Sequence, residues 1–301
     1  ARVLGAEKLG QYNVFLSTQT IIVTLVTLGI GNASISFINR ELISEKEIIT
    51  SFLKLFLLLS ILTSIVFYII VSLNNNYFGD IDSSHFFVFL VGTASIIIAS
   101  ILRPVLYACN RVNEVTFTNL LPPFVLLIGL FILFLQNDMS VSFVLSVWGV
   151  GNFLAVLFLI YFHRSNISSG IQLCWKNMLM VVKYGIKLSA SNFLFVLISN
   201  ASIFALKKLA DDGFTDVGLY SRAVAISSIV LMIPNSIGPM LFSRWSHADI
   251  DYQSEIQKTL RVFNSISFFC IIITSLFSSL IIFILYGSDF RIRAYRNDQK
   301  P

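Results

Sequence analysis

The sequence predicts an all-α, polytopic integral membrane protein, and three observations carry that prediction. Only 12% of its 301 residues are charged, where a soluble domain carries about 25%. Hydrophobic residues make up 56%, with 28 Phe among them, and the mean hydropathy is +0.81; a water-soluble globule of this makeup would expose apolar patches that soluble proteins avoid. Apolar runs of about 18–25 residues, enough to cross ~30 Å of hydrocarbon, recur along the chain. Soluble enzymes, disordered chains and coiled coils are excluded. A membrane barrel is not expected, because runs such as Leu55-Phe56-Leu57-Leu58-Leu59 do not alternate.

Eight spans are expected, in order. The first, 16–38, closes on Gly29, Gly31 and finally Arg40. The second, 51–73, runs from the charged stretch Glu45-Lys46-Glu47 to three asparagines. The third, 86–106, is bounded by Asp80 and Asp82 before it and Arg111 after it. The fourth, 120–135, carries Pro122 and Pro123, which the sequence places in a first helical turn. The fifth, 141–162, ends at Arg164, and the sixth, 186–206, lies between Lys183 and Lys207. The seventh, 218–242, ends at Arg244, and the eighth, 262–286, follows Lys258 and Arg261. Within the fifth, Gly149 and Gly151 mark a close helix contact and not a phosphate loop.

Alternate connections differ in charge, which fixes orientation. Arg40 and Lys46, then Arg111, then Arg164, Lys176 and Lys183, then Arg244, Lys258 and Arg261 form the basic set, placed in the cytoplasm. Residues 74–85 carry only Asp80 and Asp82, and 136–140 only Asp138. Lys207 and Lys208 fall on the other side, where Asp211, Asp212 and Asp216 offset them. The net charge of +5 and pI near 9.1 therefore record topology, with no basic face for nucleic acid. The basic tail from Arg291 breaks the alternation and is expected to be a truncated or frame-altered end. Cys109, Cys174 and Cys270 show no pairing pattern or metal spacing, and His85, His163 and His247 are expected on the surface, so neither metal nor catalytic centre is indicated.

Two stretches share an order of features. Leu9-Gly10-Gln11-Tyr12 and Val217-Gly218-Leu219-Tyr220 each open a long apolar helix after an acidic, Gly-containing turn. Those helices end in Gly29-Ile30-Gly31 to Asn39-Arg40 and in Pro234 to Gly238-Pro239 to Ser243-Arg244. The copies lie six spans apart and so point the same way through the bilayer, as in a parallel repeat of two six-helix halves. By that count the chain holds about eight of twelve helices, without the first and the last three. Residues 1–163 form an N-terminal bundle lacking its first helix, 164–184 a cytoplasmic linker, 185–287 the start of a C-terminal bundle, and 288–301 an atypical tail.

The opening segment, Leu4-Gly5-Ala6-Glu7-Lys8-Leu9-Gly10-Gln11-Tyr12, with Leu28-Gly29-Ile30-Gly31-Asn32-Ala33 and Phe37-Ile38-Asn39-Arg40, resembles the bacterial polysaccharide biosynthesis flippases. These include O-antigen and capsule exporters of the multidrug/oligosaccharidyl-lipid/polysaccharide superfamily. The resemblance covers residues 1 to about 288. It implies a MATE-like transporter of two bundles in the bacterial inner membrane, without cofactor or enzymatic step, that carries an undecaprenyl-pyrophosphate-linked oligosaccharide outward by alternating access. It further implies membrane lipids, a polysaccharide polymerase and chain-length proteins as partners. A cation-coupled multidrug antiporter of the same fold, a membrane enzyme such as the polymerase, and an inactive gene fragment remain the alternatives.

An anionic carrier lipid calls for fixed cations, and charge inside a span is costly unless it is used or reaches the headgroups. Lys54, Arg103, Lys187 and Arg222 lie within spans. Arg103, Lys187 and Arg222 are the candidate substrate ligands; their alternative role is snorkelling. Asn192 and Asn200, with Ser189 and Ser199, form a polar stripe that either meets sugar hydroxyls or joins helices. Gly29, Gly31, Pro234, Gly238 and Pro239 interrupt the repeated helices and are the candidate hinge.

Overall fold

The computed structural model describes residues 4–73, 77–79, 83–136, 140–165, 175–210, 212–245, 252–277 and 280. Nine helices are described: α1 (Gly5–Thr27), α2 (Ile30–Asn39), α3 (Glu45–Leu73), α4 (Ser83–Ala108), α5 (Val112–Gln136), α6 (Val141–His163), α7 (Trp175–Leu209), α8 (Gly213–Trp245) and α9 (Tyr252–Leu276). Six of them are long and apolar enough to cross a membrane, and the bent pair α1–α2 makes a seventh crossing. α8 coincides with the remaining expected span. The protein is all-helical over its described residues, as its composition requires.

The first expected span is two helices. Leu28 (φ 48°) and Gly29 (φ 66°) both adopt left-handed backbone, which ends the hydrogen-bond ladder of α1 and turns α2 by 43°. Glycine takes that conformation without a Cβ penalty, and the Leu28 side chain packs against the apolar cluster at the basic end. The turn into α3 is fixed by a capping box: Glu47 N–H donates to Ser44 Oγ, and Ser44 N–H donates to the Glu47 carboxylate.

α3 shows how the membrane sorts side chains. Ile48, Ile49, Phe52 and Phe56 are fully buried, while Leu58, Ile61, Ile65 and Tyr68 on other faces are more than half exposed. Among spans, that apolar exposure is a lipid-facing surface. α5 begins at Val112, so Pro122 and Pro123 sit inside it and not in a first turn. The polar lead-in 112–119, which hid this start in the sequence, is stabilised by Arg111 and Glu114, paired at 2.6 Å, and by Arg111 Nη2 donating to Phe162 O. Close approach of α6 to its neighbours uses the expected glycines: a Cβ on Gly92 of α4 would lie 2.7 Å from Gly149, and one on Gly151 would lie 3.0 Å from Pro122.

α1 and α2 lie between two groups of helices, with α4 and α6 on one side and α7 and α8 on the other. Two apolar clusters hold the groups together. The cluster at the basic end gathers Ile30, Phe37, Ile48, Phe52, Ile101 and Val181. The cluster at the other end, the outer end in the orientation set by charge, gathers Phe15, which meets Phe67 and Phe78 edge to face at 5.5 and 5.3 Å, while Phe67 and Phe78 lie tilted at 5.6 Å, with Ile203 and Val217 from α7 and α8. Lys207 reaches from α7 to the connection between α3 and α4. Its Nζ donates to the Tyr77 carbonyl and lies 3.3 Å from the Tyr77 ring centroid and 5.1 Å from that of Phe214.

Candidate functional site

The basic end of the molecule holds a cavity of about 310 Å³ between the last turn of α2 and the first half of α7. α2 contributes Ser36 and Phe37, followed by Arg40 and Leu42. α7 contributes Met180, Lys183, Tyr184 and Lys187. The last four repeat at helical spacing, so they form one stripe aimed at the end of α2. Phe37 and Tyr184 meet edge to face at 5.7 Å and make an aromatic floor. Arg40, Lys183 and Lys187 are exposed along its rim, and none of the lining residues is acidic. Three like charges around one opening repel each other, and an anion placed there relieves that repulsion.

The bend between α1 and α2 positions this cavity. A Cβ on Gly29 would lie 2.6 Å from the Gly185 carbonyl and 2.7 Å from Ser189 Cβ, so α7 packs directly on the bend. On the opposite face a Cβ on Gly31 would collide with the Ser100 carbonyl and lie 2.8 Å from Pro104 Cγ. The end of α2 is tied to α8 by Asn39 Nδ2, which donates to Ser243 O at 2.7 Å, while Ser243 Oγ donates to Tyr107 O at 3.0 Å.

Of the candidate substrate ligands read from the sequence, Lys187 alone lines this cavity. Arg103 is directed between α4 and α5, where Nη2 donates to Thr118 O at 3.1 Å. Arg222 lies half-buried on α8, and Lys54 is exposed on α3. Asn192 is exposed on α7, and Asn200 is half-buried with its Nδ2 donating to Val196 O of its own helix. Gly29 and Gly31 sit at the bend. α8 is continuous through Gly238 and Pro239, where a Cβ on Gly238 would meet nothing within 4 Å; the Pro234 side chain lies outside the described residues. The break therefore occurs in one copy of the repeat. Arg40 and Lys183 had been assigned to topology, yet the Met180-Lys183-Tyr184-Lys187 stripe is visible once the helix is extended back to Trp175, inside the segment read as a linker.

His163 corrects a further expectation. It is fully buried and not on the surface. Its Nε2 donates to Leu102 O at 3.1 Å, and Nδ1 lies 3.4 Å from the Glu45 carboxylate. Beside that carboxylate, burial and the Glu45 charge push the Cys109 thiol up to about 12, with Arg111 pulling the other way. His85 has no described side chain and His247 lies outside the described residues. Among the described residues no three His, Cys, Asp or Glu side chains gather as metal ligands.

The family model for polysaccharide biosynthesis protein matches residues 1–242, well over half the chain. The chain belongs to that family. Comparison with curated proteins and with solved structures finds no match. As a family member it is a multi-pass membrane protein with a role in polysaccharide biosynthesis or export, and the basic cavity lies within the matched residues.

Proposed function

We propose that the chain is a flippase that moves an undecaprenyl-pyrophosphate-linked oligosaccharide from the cytoplasmic to the outer leaflet of the inner membrane by alternating access. The carrying observation is the carboxylate-free cavity rimmed by Arg40, Lys183 and Lys187. It sits at the end assigned to the cytoplasm, between helix groups that would rock against each other. Guanidinium and ammonium groups suit a pyrophosphate, and the apolar floor suits the first isoprene units of its carrier. Every acidic side chain of a described helix lies in a first turn: Glu7, Glu45, Glu47, Glu114, Asp216 and Glu255. A cation-coupled antiporter therefore finds no mid-span carboxylate in these helices.

The test is complementation of a flippase-deficient strain with the intact protein carrying Arg40→Ala, Lys183→Ala and Lys187→Ala, singly and together. Surface glycan should fall in each single variant and be lost in the triple variant at unchanged membrane abundance. Normal glycan in the triple variant would overturn the assignment.

A further inference from the structure

The two copies of the sequence repeat meet in space. Gly10 of α1 and Gly218 of α8 hold matching places in the two Gly-x-Tyr stretches, and the helices cross there with no room for a side chain on either. A Cβ on Gly10 would collide with the Phe214 carbonyl and lie 3.1 Å from the Gly218 nitrogen. A Cβ on Gly218 would collide with the Ala6 carbonyl and lie 3.1 Å from the Gly10 nitrogen. Ala6 and Phe214 each stand one helical turn before their glycine. The contact thus maps onto itself when the two helices are exchanged, and a local two-fold axis runs between Gly10 and Gly218.

What surrounds the crossing closes the outer end. Val14 and Val217 are fully buried beside it, within the aromatic cluster of Phe15, Phe67 and Phe78. Lys207 of α7 straps Tyr77, from the connection between α3 and α4, across the same end. At the crossing itself the contact is backbone on backbone. Neither glycine places a side chain between the two backbones there, so the approach itself is held by backbone dispersion and by the apolar side chains packed around it. The basic cavity lies at the opposite end of the same helices, where Asn39 meets Ser243.

We propose that the Gly10–Gly218 crossing, with the Lys207 strap, is a symmetric clasp that closes the space between the two helix groups from the outer side and must part to open it there. The direction of transport through that clasp rests on the flippase reading; the existence of the clasp does not.

The experiment places a reporter cysteine at Val14 in the intact protein with Cys109, Cys174 and Cys270 changed to Ser, and follows its reaction with a membrane-impermeant maleimide added to spheroplasts. Val14→Cys is inert in the parent. Gly10→Val or Gly218→Val forces the helices about 1.5 Å or more apart to restore ordinary carbon–oxygen separation, and labelling accelerates about tenfold or more as the open population rises. Gly238→Ala, on the same helix but in open space, leaves the rate at the parent value. If the valine variants do not reach the membrane, Lys207→Ala decides, since it removes the strap without adding volume and must also accelerate labelling. Unchanged labelling in membrane-inserted Gly10→Val, Gly218→Val or Lys207→Ala overturns the clasp and leaves the flippase reading standing. Faster labelling with undiminished surface glycan keeps the clasp and counts against the flippase reading.

Discussion

Replacing Gly29 by Ala isolates what the bend between α1 and α2 contributes. Two costs combine at that position. Its φ of +66° lies in the left-handed region, which disfavours an L side chain by roughly 1–2 kcal/mol. The new Cβ would also lie 2.6 Å from the Gly185 carbonyl, where about 3.3–3.6 Å is ordinary, and both partners there are backbone or Cβ atoms that cannot swing aside. Overpacking of this kind costs about 1–3 kcal/mol. Gly29→Ala should therefore lose about 2–5 kcal/mol, the sum of the two. Gly185→Ala meets the same interface from the other side, its Cβ 2.8 Å from the Leu28 carbonyl, but has no left-handed penalty and should lose only the packing part. Gly29→Asn keeps the clash and tolerates the backbone, so it should resemble Gly185→Ala. The assay is thermal unfolding in detergent, where a chain of this size moves by about 2–4 °C per kcal/mol, with Gly238→Ala as the unaffected control. Equal melting temperatures for Gly29→Ala, Gly185→Ala and Gly238→Ala would refute the reasoning.

Two other outcomes are expected. His163→Ala should cost about 3–5 kcal/mol and deplete the protein from membranes, since it removes the buried Nε2 donor to Leu102 O and opens a void where a fully buried ring stood; abundance and melting temperature check this. With Cys109 as the sole cysteine, alkylation at pH 8 should be about a thousandfold slower than for free cysteine, because a thiol near 12 carries that much less thiolate. Its rate should climb about tenfold per pH unit through pH 11, and Glu45→Gln, which removes a charge that raises the value, should accelerate it at fixed pH.

The helical class and the order of the spans were legible because the hydrocarbon thickness imposes a length on every crossing, and the described helices keep that order; six of them, or seven with the bent pair, meet the length and composition of a crossing where eight were expected. The boundaries were less legible. α5 starts eight residues before the expected span and α7 starts at Trp175, because their polar first turns sit at the membrane edge, where hydropathy falls although the helix continues. The break at Gly29 could be read from the glycines themselves. Gly238 and Pro239 carried the same signal, yet α8 runs on through them: Pro239 removes a single backbone donor from the ladder, and the space around Gly238 is open. Arg40 and Lys183 were visible as charges but not as a cavity rim, because a charge count does not reveal which helix end a side chain faces. His163 looked peripheral by its place at a helix terminus; its burial comes from α3 and α4 folding over that terminus, which local sequence does not encode.

α1–α2 and α8 share two fasteners, Gly10 with Gly218 and Asn39 with Ser243, yet they are unequal rods. At 1.5 Å per residue the first would measure about 44 Å if straight and the second about 38 Å. The 43° elbow trims the longer rod to a span of about 41 Å, about half of the way to a common length. A change in separation between the fasteners therefore has a place to be taken up, the elbow at Leu28 and Gly29, where the longer rod already turns.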